Sequence, residues 1–542
     1  MFIRDSLVRQ SFLLRAASAL TPFLVLTLPA PAQRVQVIRE LKHAVSPPLR
    51  SLASASGPVA SANLEDPLEA PEPDRQVAWQ DDPVVQKTAD TRLAASPGAN
   101  ILGLGAGFTG PQGAFQFSFA PPDPTASVGA TQIVETVNLS MAVFDKATLS
   151  PILGPISMAS LWSGFDASCS ATVGLVIADP IVLYDKQASR WVIEIVTMNI
   201  PYYSCFAVST TSDATGSYNL YAFPVQATGR SATPRFGVWP DGYYLSARIY
   251  NPYPEYIGPG ACAVDRNQMI AGQAATMQCF QIDNTSIDGM LPSDLDGTAA
   301  PPAGSPNYYL AQGPAGSHTL YLYKFHVDFA TPANSTFTGP VSINVAAYTA
   351  APIGDVVPQL GTNQKLTGLG NCLMHRLAYR YLPNASPPHE SLIVTHAVLT
   401  GTSTNRRVGV RWYELRRLST TPAVYQQGTY SPDATYRWMS SAAMDKVGNI
   451  AVGYSVSSAT IYPGIRYTGR LATDPPGALE AEATIFNGGG YQSGTDRWGD
   501  FTSVSVDPAD DCTMWYTNQY MAASGSLNWA TYLFSFKFPS CQ

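Results

Sequence analysis

The chain has 542 residues and a net charge of −7, with 13% charged and 11% aromatic residues, 42 glycines and 44 prolines. This charge balance, with no clustered basic surface, argues against an electrostatic nucleic-acid footprint. Frequent Gly and Pro among Tyr, Phe and Trp favour many short strands over helices, and the length suits two or three domains or one large all-β unit.

At the N-terminus, Arg4, Arg9 and Arg15 form a basic region, Ala16 to Leu28 is mostly apolar, and Ala30-Pro31-Ala32 is an A-x-A cleavage site. These features predict a secretory signal peptide over residues 1–32. The apolar run is too short to cross a bilayer, and no later stretch approaches the roughly 20 apolar residues a spanning helix needs. A secreted or periplasmic product with no membrane span is expected. Residues 33–104 are rich in Pro, Ala and Ser without a steady apolar period, so this leader is expected to be largely irregular, either mobile or draped over the domain that fills 105–542.

Export makes the seven cysteines readable as disulfide partners. Cys262 and Cys279 flank one loop and are the first candidate pair. Cys169 with Cys205 and Cys512 with Cys541 are the next simplest, leaving Cys372 over. Spacing alone does not fix the connectivity.

The strongest pattern is a recurring hairpin: a short apolar strand, a turn rich in Asp, Gly, Pro or Lys, and a second strand of alternating apolar and aromatic residues. It is plain in DPIVLYDKQASRWVIEIVT from Asp179, RFGVWPDGYYLSARIY from Arg235, SSAAMDKVGNIAVGYSVS from Ser440 and FTSVSVDPADDCTMWYT from Phe501. Weaker copies centre on Gly129, Gly313 and Asn384. With Asp185, Asp241, Asp445 and Asp507 these turns are spaced by 56, 56, 72, 71, 61 and 62 residues. A unit of this length holds about four strands, so the repeat predicts a single β-propeller of four-stranded antiparallel blades, seven by this spacing, with six or eight as alternatives. A pair of β-sandwiches is the rival architecture.

About six positions before each turn an inner strand begins. Asp123, Asp179, Arg235, Asn307 and, with a shift of one or two places, Arg376 and Asp500 occupy these starts and would ring one mouth of a central channel. Asp before Pro, at Asp123 and Asp179, also serves turns, and Arg235 or Arg376 can lock neighbouring blades. The case for function rests on the group. Arg466, Arg470, Arg497 and His375 extend it, since guanidinium forks suit the carboxylate of an acidic sugar. Tyr467 and Trp498, with Tyr243, Tyr462 and Trp239, offer flat faces for sugar rings, although packing between blades accounts for most such aromatics. Asp241 lies in Pro240-Asp241-Gly242, a hairpin turn, and is placed at the other end of its strand.

The stretches MDKVGNIAVGYSVSSATIYPGIRYTGR and RWGDFTSVSVDPADDCTMWYTNQY, with PPDPTASVG, ADPIVLYD and FGVWPDGYYLSARIY, resemble a set of uncharacterised secreted bacterial proteins, a likeness running from about Gly105 to Cys541. It implies a secreted propeller-like domain. A looser similarity is to sialidase-type propellers, whose blades carry an Asp-box turn S/T-x-D-x-G-x-x-aromatic. Here Thr211 to Tyr218 fits with its glycine, Gly216, one place late.

Two functions follow. In a glycoside hydrolase two carboxylates flank the scissile bond, and Asp123, Asp179 and Asp500 are the candidates for catalysis. In a non-catalytic binding or adhesion module the same mouth grips an extracellular polysaccharide or glycoconjugate; fold does not choose between them. Gly-x-Ser-x-Gly and H-E-x-x-H are absent, which weakens nucleophile-elbow and zincin chemistry. No motif assigns a cofactor, and Ca2+ is the candidate ion. The available carboxylates and carbonyls suit Ca2+ better than a transition metal, but no D-x-D-x-D-G loop assigns a metal.

Overall fold

A computed structural model describes residues 34–53, 64–65, 78–92, 95–116, 119–165, 168–170, 177–197, 201–226, 230–253 and 255–542. The proposed signal peptide lies outside them. The protein is all-β: among the described residues the α-helices are two short pieces, Leu49–Leu52 and Arg266–Ala271.

Seven four-stranded antiparallel units follow one another along the described chain. Unit 1 comprises Thr125–Val128, Gln132–Val137, Ser140–Asp145 and Pro151–Ser157. Unit 2 runs through Ile177–Asp185, Arg190–Thr197, Tyr202–Ser209 and Tyr218–Gln226, and unit 3 through Arg230–Val238, Tyr243–Tyr250, Tyr256–Val264 and Thr276–Gln281. Unit 4 is Leu291–Leu295, Asn307–Gln312, Thr319–His326 and Thr336–Asn344; unit 5 is Leu377–Leu382, His389–Gly401, Arg406–Arg416 and Ala423–Tyr430. Units 4 and 5 are joined by a parallel pairing of Ser293–Leu295 with Leu377–Tyr379. Unit 6 contains Tyr436–Met444, Ile450–Ser458, Ile461–Arg470 and Ala483–Phe486. Unit 7 takes Ser503–Val506, Met514–Met521 and Trp529–Lys537 from the C-terminus and its fourth strand, Ser96–Gly105, from the leader.

The first strand of each unit packs beside the first strand of the next, and Ser503–Val506 of unit 7 lies beside Thr125–Val128 of unit 1. Short polar side chains on these strands explain how they sit so close. Thr125 Oγ1 accepts from Val182 N at 3.2 Å, Ser127 Oγ from Tyr184 N at 3.0 Å, Ser503 Oγ from Ala126 N at 2.9 Å and Ser441 Oγ from Val504 N at 3.0 Å. Asp294 does the same for Val238 N at 3.0 Å. Backbone groups that would otherwise be buried unpaired are thereby satisfied.

Between units the faces are apolar. Val134, Met141 and Val143 of unit 1 share a core with Val182, Trp191 and Ile193 of unit 2. Phe206, Tyr221 and Phe223 then meet Phe236 and Tyr243 of unit 3. Trp515 and Leu533 of unit 7 join Val128, Ile133 and Phe144 of unit 1 in a further cluster. Each fully buried aromatic or branched side chain contributes about 1.5–3 kcal/mol of transfer free energy.

Six of the seven recurring turns join the first two strands of a unit. Gly313 differs, because it joins the second and third strands of unit 4. Its first strand, Leu291–Leu295, precedes a longer connection to Asn307, which stretches the step to Gly313 to 72 residues, and the 71 that follow contain the long connection from Asn344 to Leu377.

The leader drapes over the units, and its described parts are not irregular throughout. Gln36–Arg39 pairs with Thr276–Cys279, Lys42–Val45 with Asn219–Ala222, and Val85–Gln86 with Thr429–Tyr430. A boundary at 104 falls at the end of a strand integral to unit 7. The disulfides are Cys169–Cys205, Cys262–Cys279 and Cys512–Cys541, and Cys372 is buried outside them. Three disulfides suggest an oxidising compartment. No helix among the described residues is long and apolar enough to cross a membrane.

Candidate functional site

A cleft forms where the first strands of units 1, 2, 3, 5 and 7 begin. It is lined by Asp123 and Thr125, Asp179 to Ile181, Pro234 and Arg235, His375, and Asp500 with Phe501. The residues come from positions spread over most of the chain, and Asp123, Asp179, Arg235, His375 and Asp500 are each at least nine-tenths buried.

The three aspartates share an unusual backbone, with φ of 46° at Asp123, 53° at Asp179 and 56° at Asp500. Asp tolerates this left-handed region better than most residues, yet each instance carries a cost of about 1 kcal/mol or more. In unit 6 the corresponding place, six residues before Asp445, is held by Met439 with φ 45°. The conformation thus marks a position in the repeat, and the carboxylate is an addition to it. Backbone bonds fix the carriers: Asp123 N donates to Gly499 O at 2.8 Å, and Asp179 N to Asn138 Oδ1 at 3.1 Å.

The charges are arranged in pairs. Arg497 donates to Asp500 Oδ2 through Nε at 3.0 Å and through Nη2. The Arg235 guanidinium lies 4.1 Å from the Phe501 ring centroid, in cation–π contact, and donates to Pro234 O at 2.9 Å. His375 is held well below the usual imidazole range, first by burial and then by the charges of Arg235 and Arg376, so it is neutral at pH 7. Behind Asp179, Glu194 is wholly buried; loss of water, opposed by the Ser204 hydroxyl and reinforced by the Asp179 charge, pushes its carboxyl up to about 8. Its Oε1 accepts from Ser204 at 2.6 Å.

The cavity volume of ≈ 20 Å³ accommodates about one water molecule. A sugar ring does not enter a space of that size, whereas one hydroxyl of a sugar at the mouth does. Among the described residues no three His, Cys, Asp or Glu side chains are grouped to hold a metal ion.

Of the spaced positions, Asp123, Asp179, Arg235 and Asp500 line the cleft, joined by His375 from the added group and with Arg497 bonded to Asp500. Other candidates stand elsewhere. Arg376 turns away from the lining and bonds Asp296, with Asp294 Oδ2 at 3.3 Å and Val504 O at 3.1 Å. Asn307 lies in a second strand, where its amide donates to Ser293 O at 2.9 Å and accepts from Ser293 N at 3.2 Å. Arg466 is tied to Phe486 O and Asn487 Oδ1, and Arg470 to the Asp474 carbonyl at 2.5 Å.

Trp498 is fully buried against Trp438 and donates to Ser455 Oγ at 3.0 Å. Tyr467 packs on Phe536 and donates to Ala95 O at 3.1 Å. Both are packing residues, the role expected for most of the aromatics. Asp241 accepts from Tyr244 at 2.9 Å in its hairpin turn, as its sequence predicts. Asp213, in the Asp-box-like stretch, accepts from Thr215 N at 2.9 Å in the turn between the third and fourth strands of unit 2. Glu194, Asp294 and Asp296 are additions to the sequence reading. Their signal was a lone acid in the apolar run Val192 to Val196 and the alternating acids of Ser293 to Asp296.

No family model and no curated protein sequence matches the chain. Among solved structures, an exo-β-1,3-galactanase from Phanerochaete chrysosporium with galactose is similar at 9% identity and TM-score 0.30, covering 81% of this chain and 99% of that one. The N-terminal domain of Nup159 is similar at 7% identity and TM-score 0.31, covering 88% of this chain and all of that one at 100%. An N-acetylgalactosamine deacetylase from F. plautii, in complex with blood group B trisaccharide, gives 11% identity and TM-score 0.26 over 73% of this chain and 94% of that one. Likenesses at these scores carry no argument about activity.

Proposed function

We propose that the protein is a single seven-bladed β-propeller, exported behind a cleaved signal peptide, that binds extracellular glycan at the cleft between the first strands. The radial reading is supported by the cyclic packing of those strands, unit 7 beside unit 1, which two separate sandwiches would lack. Lys146 from the first unit also reaches Asp507 of the last at 2.8 Å.

One observation carries the ligand: five units each deliver a polar or charged side chain to one buried cleft. Charged groups are buried at little cost only where they are paired, and the repeat brings such groups to equivalent places around the cleft. Carboxylates accept from sugar hydroxyls, and the Arg235 guanidinium donates to them. The narrow opening fits recognition of a hydroxyl edge at the mouth and not enclosure of a ring.

Hydrolysis of a sialidase-like or other glycosidic bond is the second reading, and Glu194 favours it. An acid holding its proton near neutral pH beside the Asp179 carboxylate is the division of labour that glycoside hydrolysis uses. Glu194 does not line the cleft, so in this reading Asp179 is the carboxylate that faces the substrate.

The test is a panel of polysaccharides screened for binding and for released product, with Asp179→Asn, Asp500→Asn and Arg235→Ala. Binding without product, weakened about tenfold or more by Arg235→Ala, is the expected result. Product that disappears with either Asp change would establish the enzyme. No binding across the panel would end the glycan reading.

A further inference from the structure

A larger groove opens at the other end of unit 5. His375 precedes the first strand of that unit, whereas the groove lies past its end, by the turn between Leu382 and His389 and the one between Arg416 and Ala423. Its volume is ≈ 700 Å³, within the range that holds small ligands. Pro387, Pro388 and Pro302, the last from the connection in unit 4, are among its lining residues.

The polar groups there are of three kinds. Arg417 is exposed, has φ 59°, and has no acidic partner among the described residues. Its neighbour Arg416 is already engaged by Glu414 at 2.5 Å and stacks over Tyr425 at 3.4 Å from the ring centroid, so it stiffens an aromatic surface that is 51% exposed. His389 contributes an acceptor. Its Nδ1 lies 2.9 Å from Pro387 O, a carbonyl that only accepts, so Nδ1 carries the hydrogen and Nε2 of the neutral ring presents a lone pair. That Nε2 is buried and has no hydrogen-bond partner among the described residues. Glu390 adds a carboxylate whose Oε1 is fixed by Tyr379 at 2.8 Å and Tyr308 at 3.2 Å.

From this set we infer that the groove is a second ligand site, separate from the cleft, and that it takes an acidic sugar unit of the uronate kind. The free cation pairs with the ligand's carboxylate, the lone pair of His389 and the carboxylate of Glu390 accept from its hydroxyls, and Tyr425 with the prolines lies along its flat apolar face. A neutral sugar leaves Arg417 unanswered. A simple inorganic anion leaves the two acceptors unanswered.

The experiment is calorimetric titration of the full chain with a trisaccharide of galacturonic acid, with neutral galactotriose and pentaglutamate as comparison ligands. The charged trisaccharide is expected to bind at least tenfold more tightly than either. Arg417→Gly is expected to weaken it at least tenfold while leaving the thermal midpoint unchanged or higher, because glycine adopts φ near 59° without strain. The cleft variant Arg235→Ala is expected to leave this affinity within twofold, so failure here and failure of the cleft reading are told apart. The inference is overturned by absence of binding, by equal binding of galactotriose or pentaglutamate, by indifference to Arg417→Gly, or by loss of binding in Arg235→Ala alone.

Discussion

Asp179 shows how one residue answers to several demands. Its backbone holds a left-handed conformation that marks the start of a unit, its amide is bonded to Asn138, and its carboxylate raises the pKa of Glu194 behind it. The last effect makes stability depend on pH. Glu194 titrates near 4.5 when unfolded and about 8 when folded, so between these values the folded chain binds the extra proton. Stability associated with that proton is fully present below about pH 4.5 and is lost as pH rises towards 8, by a few kcal/mol at most. Glu194→Gln carries no such proton. Thermal unfolding measured at pH 5 and pH 8 is therefore expected to show a smaller fall in midpoint for the variant than for the native chain.

At the scale of elements, the first strands are held to their neighbours by hydroxyls in place of a full backbone ladder. Thr125 Oγ1 is 2.8 Å from Thr136 Oγ1 and accepts from Val182 N in the next unit. Thr125→Val keeps the shape but leaves that buried amide without an acceptor, a loss of about 1–3 kcal/mol. Denaturant unfolding should place the variant's midpoint lower with an unchanged slope; an unchanged midpoint would mean that the amide finds another partner. Spacing located most of these strands because a hairpin turn is a local event, written in Gly, Pro and Asp. It misplaced the start of unit 4 at Asn307 because Leu291–Leu295 is short and its parallel pairing with unit 5 leaves no mark in the local pattern.

For the whole molecule, the leader does structural work. Ser96–Gly105 completes unit 7, burying Leu104 and most of Ile101, and Asp82 neutralises the buried Arg411 at 2.9 Å. A chain beginning at residue 78 keeps both features while giving up the outer pairings of Gln36–Arg39 and Lys42–Val45, and is expected to fold, whereas one beginning at 106 also leaves Trp529–Lys537 as an open edge and Arg411 without its carboxylate. An uncovered strand edge invites intermolecular pairing, so the shorter chain is expected to aggregate or to melt several degrees lower, by light scattering and calorimetry. Equal solubility and midpoint would show the leader to be dispensable.

The sequence by itself determined the all-β class and the recurring turns, because both depend on local chain geometry, and it offered the three disulfide pairs as the simplest choice and Asp123, Asp179, Arg235 and Asp500 as equivalent positions of the repeat. Only the tertiary structure decided which way neighbouring side chains face and which charges find partners. It sent His375 into the cleft and Arg376 to Asp296, gave Trp498 and Tyr467 to the core, and set Glu194 behind Asp179. Those outcomes turn on burial and on groups brought from other units, and neither is encoded in the residues immediately alongside.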